Sequence, residues 1–511
     1  MNAIVSSQVE LMDDIKLEAI DEKTCQHISK SLSTKVIRGG VWVFSSQIIN
    51  RGLRLIRTII LARLLAPHDF GLFGIALLAI SILEAFSQTG FQAALVQRKG
   101  DVESYLDTAW TIAAIRGIFL FSILFFAAPL IASFFDSIHA SLVIKVIAIS
   151  TLLSGFNNVG IIFFRKELEF NKLFLYEVSG TLADLIIGIT LALILRNVWA
   201  LVWGGLAANF IWLLMSYLLH PYRPRFCFDK QKFQDLFGFG RWILGSSILL
   251  FFINQGDDIF VGKMIGVASL GLYQMAYLIS NLPATEITHV ISHVTFPAYS
   301  KLQNDLSRLR EAYLKVFRFT VFLSFPIAGG ILALAPDFTQ IFLGNKWMPM
   351  VPTMQVLVVW GLIRSTGAAT GPLFHAVGRP QLGTKLQFAK LILLLIIIYP
   401  LTMRWGILGT ALAVVLNALL ISPFAHYLAV RAIHARGLDL VSLALLPAFS
   451  TTIMYICLSL SRKWLLPNQC STSFIAFVLV GSVVYLTIII IFDKKSVQEI
   501  YQFFKMRLEI R

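Results

Sequence analysis

The chain has 511 residues, of which 57% are hydrophobic and only 14% are charged. Soluble domains run at roughly 45–50% apolar and 25% charged, so this composition excludes an ordinary water-soluble globule and makes lipid the natural solvent. The formal charge of +15 reads as loop topology rather than nucleic-acid binding, because cytoplasmic loops of membrane proteins concentrate Lys and Arg.

In chain order, residues 1–36 form a polar tail that carries Glu10, Asp13, Asp14, Glu18, Asp21 and Glu22. It lacks the apolar core and small-residue cleavage site of a signal peptide. From residue 37 onward, apolar stretches of about 20 residues recur, the length that spans a hydrocarbon core about 30 Å thick. They predict an all-α integral membrane protein of about 14 transmembrane helices. Six, near 39–61, 70–92, 108–130, 141–164, 173–195 and 198–220, form an N-terminal lobe (37–220). A cytoplasmic linker (221–236) leads to six more, near 237–262, 270–296, 313–335, 351–375, 383–402 and 406–430, which form a C-terminal lobe (237–430). A last pair near 441–460 and 473–492 occupies 431–492 and precedes a tail at 493–511.

Placing the N-terminus inside puts about 30 of the 43 Lys and Arg in cytoplasmic segments and about 7 in the opposite loops, so both termini are expected in the cytoplasm. The linker PYRPRFCFDKQKFQDL, from Pro221, is basic and amphipathic, and reads either as a strap on the anionic inner leaflet or as a plain solvated loop. Trp199, Trp347, Trp405 and Trp464 fall at the predicted outer edges, where interfacial anchoring accounts for them. Cys25, Cys227, Cys457 and Cys470 are scattered, which predicts neither a disulfide framework nor a metal site.

An offset of 200 residues superposes helix 1 on helix 7 without a gap: Gly40 on Gly240, Trp42 on Trp242, Ser46 on Ser246, Arg63 on Lys263, Gly71 on Gly271, Leu72 on Leu272 and Phe73 on Tyr273. This register indicates duplication. Because six helices per repeat is even, both repeats enter the membrane in the same direction, as parallel lobes about a central cavity.

Ionisable residues within spans are expensive, and are functional candidates when they face a cavity. Arg51, Arg54 and Arg57 rise along helix 1 as a slanted cationic strip suited to diphosphate or acidic sugars. Arg116 in helix 3 and Arg364 in helix 10 extend it into both lobes. The alternative is that these arginines pair with Glu84, Glu177 and Asp184 to lock helices together, or snorkel to the interface. Helix 7 carries Asn254, Gln255, Gly256, Asp257 and Asp258, a polar break at which Gly256 would loosen the helix. Asp257 and Asp258 are candidates for proton or Na⁺ coupling; the alternative is an anchor against Arg57, the duplicated counterpart of Asp257. Glu286, His289 and His293 share a face of helix 8, as a proton-relay row or as a satisfied helix interface. Zinc binding there lacks a third ligand and the HExxH spacing. No GxxxxGK[ST] is present and no paired-acid site lies in the loops, so no intrinsic ATP hydrolysis, glycosyl transfer or cofactor is expected.

The chain resembles the polysaccharide export (Wzx-type) branch of the multidrug, oligosaccharidyl-lipid and polysaccharide exporter superfamily. The resemblance covers roughly residues 36–430. It is carried by LARLLAPHDFGLFGIA from Leu61, GFQAALVQRKG from Gly90, FRKELEFNKLFLYE from Phe164, NQGDDIFVGKMIGVASLGLYQMAY from Asn254, NLPATEITHVISHVTFPAYSKLQ from Asn281 and LGNKWMP from Leu343. It implies two six-helix lobes working by alternating access in a bacterial inner membrane. The implied substrate is a polyprenyl-diphosphate-linked oligosaccharide for exopolysaccharide or lipopolysaccharide assembly, with membrane lipids, a polysaccharide polymerase and chain-length machinery as candidate partners. A cation-coupled drug exporter of the same superfamily is the competing function, and three arginines on helix 1 disfavour it for organic cations.

Overall fold

The computed structural model describes residue 42 and residues 45–88, 103–167, 169–465 and 471–492; within its helices the side chains of several stretches, 232–243 and 282–287 among them, are not described. The described residues are helical, with no strand among them. The first half of the chain contributes α1 (45–64), α2 (Pro67–Ser87), α3 (Glu103–Phe134), α4 (Ile138–Gly155), α5 (Phe170–Leu195) and α6 (Trp199–Leu219). The second contributes α7 (Lys230–Met264), α8 (Val267–Leu302), α9 (Leu306–Phe338), α10 (Val351–Thr366), and then Pro380–Ala432. That last segment is two helices, α11 (380–405) and α12 (407–432), which meet at Gly406, whose φ of 59° only a residue without a Cβ adopts cheaply. α13 (Gly437–Leu465) and α14 (Ser471–Phe492) pack on α9.

Ten segments among the described residues are long and apolar enough to cross a bilayer, fewer than the fourteen expected. α11 and α12 are joined in one of the ten, while α1, α7 and α8, which carry charged and polar residues, fall outside them. α7 starts at Lys230 instead of near 237, and it continues unbroken through Asn254–Asp258, so the expected loosening at Gly256 does not occur.

The two halves meet where α2 crosses α8, and the residues that touch are those equated by the 200-residue register. A Cβ at Gly71 would stand 1.9 Å from the Val267 carbonyl oxygen, and one at Gly271 would stand 2.0 Å from that of Pro67. Pro67 and Val267 each open their helix. Gly74 faces its own counterpart, with Gln274 Oε1 2.1 Å from where a Cβ would sit. A pseudo-twofold axis therefore passes between α2 and α8. Only glycine admits this backbone proximity, and inside lipid such close packing is a main source of helix association.

Two duplicated cations close the same end of the bundle. Arg63 donates from Nη1 to the carbonyls of Gln340 and Ile341, at 3.3 Å each, and Lys263 reaches Asp136 Oδ2 at 2.7 Å. Each half thus sends a cation to the end of the other half's third helix. Lys346 Nζ donates to Arg63 O (2.9 Å), and Trp347 Nε1 donates to Ala62 O (2.8 Å) while its ring packs edge-on against Phe70. Trp347 is fully buried. The interfacial role expected for it is therefore wrong, because the first half folds over it and supplies, at Ala62 O, an acceptor for its N–H.

Both halves share one apolar core at this end, running from Leu72, Ile75 and Ile144 to Val261, Leu270 and Leu357. Toward the other end the cores are separate, with Tyr299, Tyr313, Phe317 and Leu373 in the second half and Leu106, Ala109 and Ile162 in the first. α2 and α7 remain in touch along their length, through Phe86 against Phe252 and a Ser247–Gln88 hydrogen bond.

The connection between the halves is docked on the first. Asn158 Nδ2 donates to Tyr222 O (2.7 Å), the Tyr222 hydroxyl donates to the Asp107 carboxylate, and Arg225 N donates to Asp107 Oδ1 (3.0 Å). Cys227 N donates to Thr111 Oγ1 (3.0 Å), and Phe226 packs on Trp110. Burial, with the Lys172 ammonium nearby, pushes the His220 imidazole below its ordinary pKa; in the neutral ring Nδ1 accepts from Tyr222 N (3.2 Å). Residues 220–229 are therefore part of the first half, and the second begins with α7.

A side chain at position 271 has to force α2 and α8 apart, at a cost of about 1–3 kcal/mol. In a background with the native cysteines replaced, Gly271→Val is expected to lower the thermal unfolding midpoint by several degrees. It should also raise several-fold the rate at which a water-soluble maleimide labels Ala62→Cys, which is buried in the intact contact.

Candidate functional site

The polar face of α1 is built on helical periodicity. Ser46, Asn50 and Arg57 lie four and seven residues apart, so they form one stripe. Glu177 and Asp184, two turns apart on α5, form the matching one. Ser46 Oγ donates to Glu177 Oε2 (2.9 Å), Asn50 Nδ2 donates to Ser46 Oγ (3.2 Å), and Arg57 Nη2 pairs with Asp184 Oδ1 at 2.7 Å. Both members of that ion pair are largely buried. The expected strip therefore divides. Arg57 locks α1 to α5 and does not meet Asp257. Arg51 is half-buried, and Arg54, rotated off the stripe, is exposed.

Arg116 also stays within the first half, donating from Nε to Ser87 Oγ (3.0 Å) and interacting electrostatically with Glu84. Arg364 stacks over Trp360 at 5.2 Å, Trp360 packs against Tyr277 of α8, and Arg364 interacts with Tyr277 as well. Its further electrostatic neighbour is Lys390 of α11, a like charge. Lys390 was not among the candidates, although it falls inside the span expected at 383–402, and only the packing of α10 on α11 brings it to Arg364. The five candidate arginines thus fall into separate groups in the two halves.

Asp257 is buried, and Asp258 half-buried, between α7 and α8. The Tyr273 hydroxyl donates to Asp257 Oδ2 at 2.6 Å, and Gln274 hydrogen-bonds Asp258. Each aspartate retains a buried carboxylate oxygen, Oδ1, without a partner. Glu286, His289 and His293 lie on α8, but their side chains fall outside the described residues.

A cavity of about 480 Å³ that the sequence did not signal reaches α1 at Leu55. It lies between α1, α8, α9, α10, α13 and α14, with walls that include Phe322, Phe338, Met454, Phe477 and Tyr485. Leu55, the neighbour of Arg54, completes its wall. Its lining residues come from elements far apart in the chain, so no local pattern marks it.

Residues 60–352 match the family model described as Polysaccharide biosynthesis protein, which covers more than half of the chain. The chain belongs to this family. The match runs from the end of α1 to the start of α10, and so takes in the whole contact of α2 with α8. Among its relatives, the lipopolysaccharide biosynthesis protein WzxC of Escherichia coli is 27% identical over 397 residues, 76% of this chain and 79% of its own length. The succinoglycan biosynthesis transport protein ExoT of Rhizobium meliloti is 24% identical over 345 residues, 67% of this chain and 70% of its own. Among solved structures, the lipid II flippase MurJ in an inward closed conformation shares the fold, with a TM-score of 0.73 at 14% identity over 89% of this chain and 99% of MurJ.

Removing one partner of the Arg57–Asp184 pair strands the other charge in the helix bundle. Arg57→Ala and Asp184→Ala are each expected to destabilise the protein by about 3 kcal/mol, with most of the loss recovered when Arg57→Asp is combined with Asp184→Arg. Thermal unfolding of the purified variants in one detergent reads both effects.

Proposed function

We propose that this member of the polysaccharide biosynthesis protein family is a flippase that moves polyprenyl-diphosphate-linked oligosaccharide units across the bacterial inner membrane. The observation that carries this reading is that α1 bears both an exposed guanidinium, Arg54, and, one residue on, Leu55 in the wall of an apolar cavity. An amphipathic substrate with an anionic headgroup and a hydrocarbon chain uses both. Arg binds phosphate through two parallel hydrogen bonds and keeps its charge at any physiological pH. A drug exporter for organic cations would meet repulsion at the same place. Nothing in this scheme requires bond making, and the chain acts as a transporter, not an enzyme.

In this reading the basic loops face the cytoplasm, so both termini are inside and the end closed by Arg63, Lys263 and Trp347 faces outward. The lobes at 37–220 and 237–430 then rock about the contact of α2 with α8, and the separate cores at the other end correspond to an inward-open path. The cationic groups Arg51 with Arg54, Arg116, and Arg364 with Lys390 hold the diphosphate and acidic sugars in transit. The carboxylates Asp257 and Asp258, with Glu286, His289 and His293, supply H⁺ or Na⁺ coupling. A polysaccharide polymerase with its chain-length machinery takes up the product on the outer face.

Arg54 is exposed and does not hold the fold together, so Arg54→Ala isolates substrate binding. On depletion of the protein, polyprenyl-diphosphate-linked glycans should accumulate on the inner leaflet, and wild type should clear them. Losing a charge-assisted hydrogen bond, worth about 1.5–3 kcal/mol, should slow clearance by Arg54→Ala about tenfold or more at equal protein level. If no lipid-linked glycan accumulates, the reading fails.

A further inference from the structure

Asp257 and Asp258 stand side by side inside the helix bundle, and no basic side chain is among the groups acting on either carboxylate. Asp257 is only 3% exposed. The unpartnered Oδ1 atoms of both residues leave two acceptors buried without a donor. Two adjacent carboxylates without a counter-charge are costly in such surroundings, and a proton or a monovalent cation would relieve that cost. Among the described residues, the other elements offer no neutralising charge. α8 brings the hydroxyls of Tyr273 and Tyr277. α2 has no ionisable residue between Asp69 and Glu84. Arg116 of α3 is turned to Ser87 and Glu84, Arg364 of α10 acts on Tyr277, and Lys390 of α11 acts on Arg364.

We propose that Gln274 is the positioning residue that transmits the ionic state of this pair to the contact between the two halves. This rests on the coupling role given to Asp257 and Asp258 above. Its amide serves two sites at once: it hydrogen-bonds Asp258 on α7, and its Oε1 lies in the notch that Gly74 leaves in α2 of the other half. The chemistry of the amide makes these two contacts exclusive. An ionised Asp258 only accepts hydrogen bonds, so it takes Nε2–H and leaves Oε1 directed at Gly74. A proton makes the carboxyl a donor, and a bound Na⁺ also demands an oxygen ligand. Either event draws Oε1 toward α7. The amide rotates, and its NH₂ group is left against α2, whose backbone carbonyls are already engaged within the helix. The halves then lose their closest side-chain fit next to Gly71 and Gly271, and the closed end loosens. The duplicated position, Gly74, has no amide, so the device exists on one side of the pseudo-twofold only.

The test uses the full chain in nanodiscs, with its four cysteines changed to serine and spin labels on His139→Cys and Met403→Cys, exposed positions on opposite halves near the closed end. Pulsed EPR distances are recorded from pH 8 to pH 5 without Na⁺, and then at pH 8 with rising NaCl against choline chloride. Wild type is expected to lengthen its His139–Met403 distance in one of the two series, which identifies the ion. Gln274→Met, of similar volume but without an acceptor, and Gln274→Ala should both lose that response while retaining the unlabelled protein's thermal stability to within a few degrees. Asp258→Asn should hold one distance throughout. If wild type responds and both Gln274 variants respond equally, the role of Gln274 is overturned while the carboxylate coupling survives. If wild type responds in neither series, coupling at Asp257 and Asp258 falls, and the proposal falls with it.

Discussion

The contact of α2 with α8 governs the rest of this structure. Gly71 lies against the Val267 backbone and Gly271 against that of Pro67, a reciprocal fit between duplicated positions. In lipid, apolar side chains gain little by leaving the hydrocarbon for one another, so two six-helix units need close packing and hydrogen bonds to associate. The glycines supply the first. The carbonyls of Ala62, Gln340 and Ile341, freed at helix ends, supply the second by accepting from Trp347 and Arg63. Because both lie at one end, the halves are pinned there and keep separate cores at the other.

Charges inside the bundle follow the same logic of local satisfaction. Arg57 and Asp184 cancel each other between α1 and α5, and the Ser46–Glu177 bond continues that ladder. Arg364 sits over an indole beside Lys390, without such cancellation. Asp257 and Asp258 are a negative pair beside a tyrosine and a glutamine. Among these groups, Arg57 and Asp184 of the first half are paired with each other, whereas Arg364 with Lys390 and Asp257 with Asp258 of the second are not.

Much of this was legible in the residues. Apolar runs of spanning length marked the helices, and the identities Gly71/Gly271 and Arg63/Lys263 marked the duplication. Its consequence was not legible: positions equated by the repeat also touch, because the axis relating the halves passes between α2 and α8. Trp347 illustrates the limit. A tryptophan at a span edge looks interfacial until a segment from the other half encloses it. The division of the arginine strip is another case. Spacing placed Arg54 and Arg57 on neighbouring faces of one helix, but only α5, carrying Asp184, decided which was spent on structure.

By itself the sequence determined an all-helical membrane protein with basic loops on one side, since span length and loop charge are local properties set against a solvent of known thickness. Its extended motifs determined the family. Only the tertiary structure decided which charges were paired, where the apolar cavity met α1 at Leu55, and that Gln274 lies between Asp258 and Gly74. Those facts depend on contacts between residues far apart in the chain, and helix periodicity specifies which residues share a face but not which helix that face will meet.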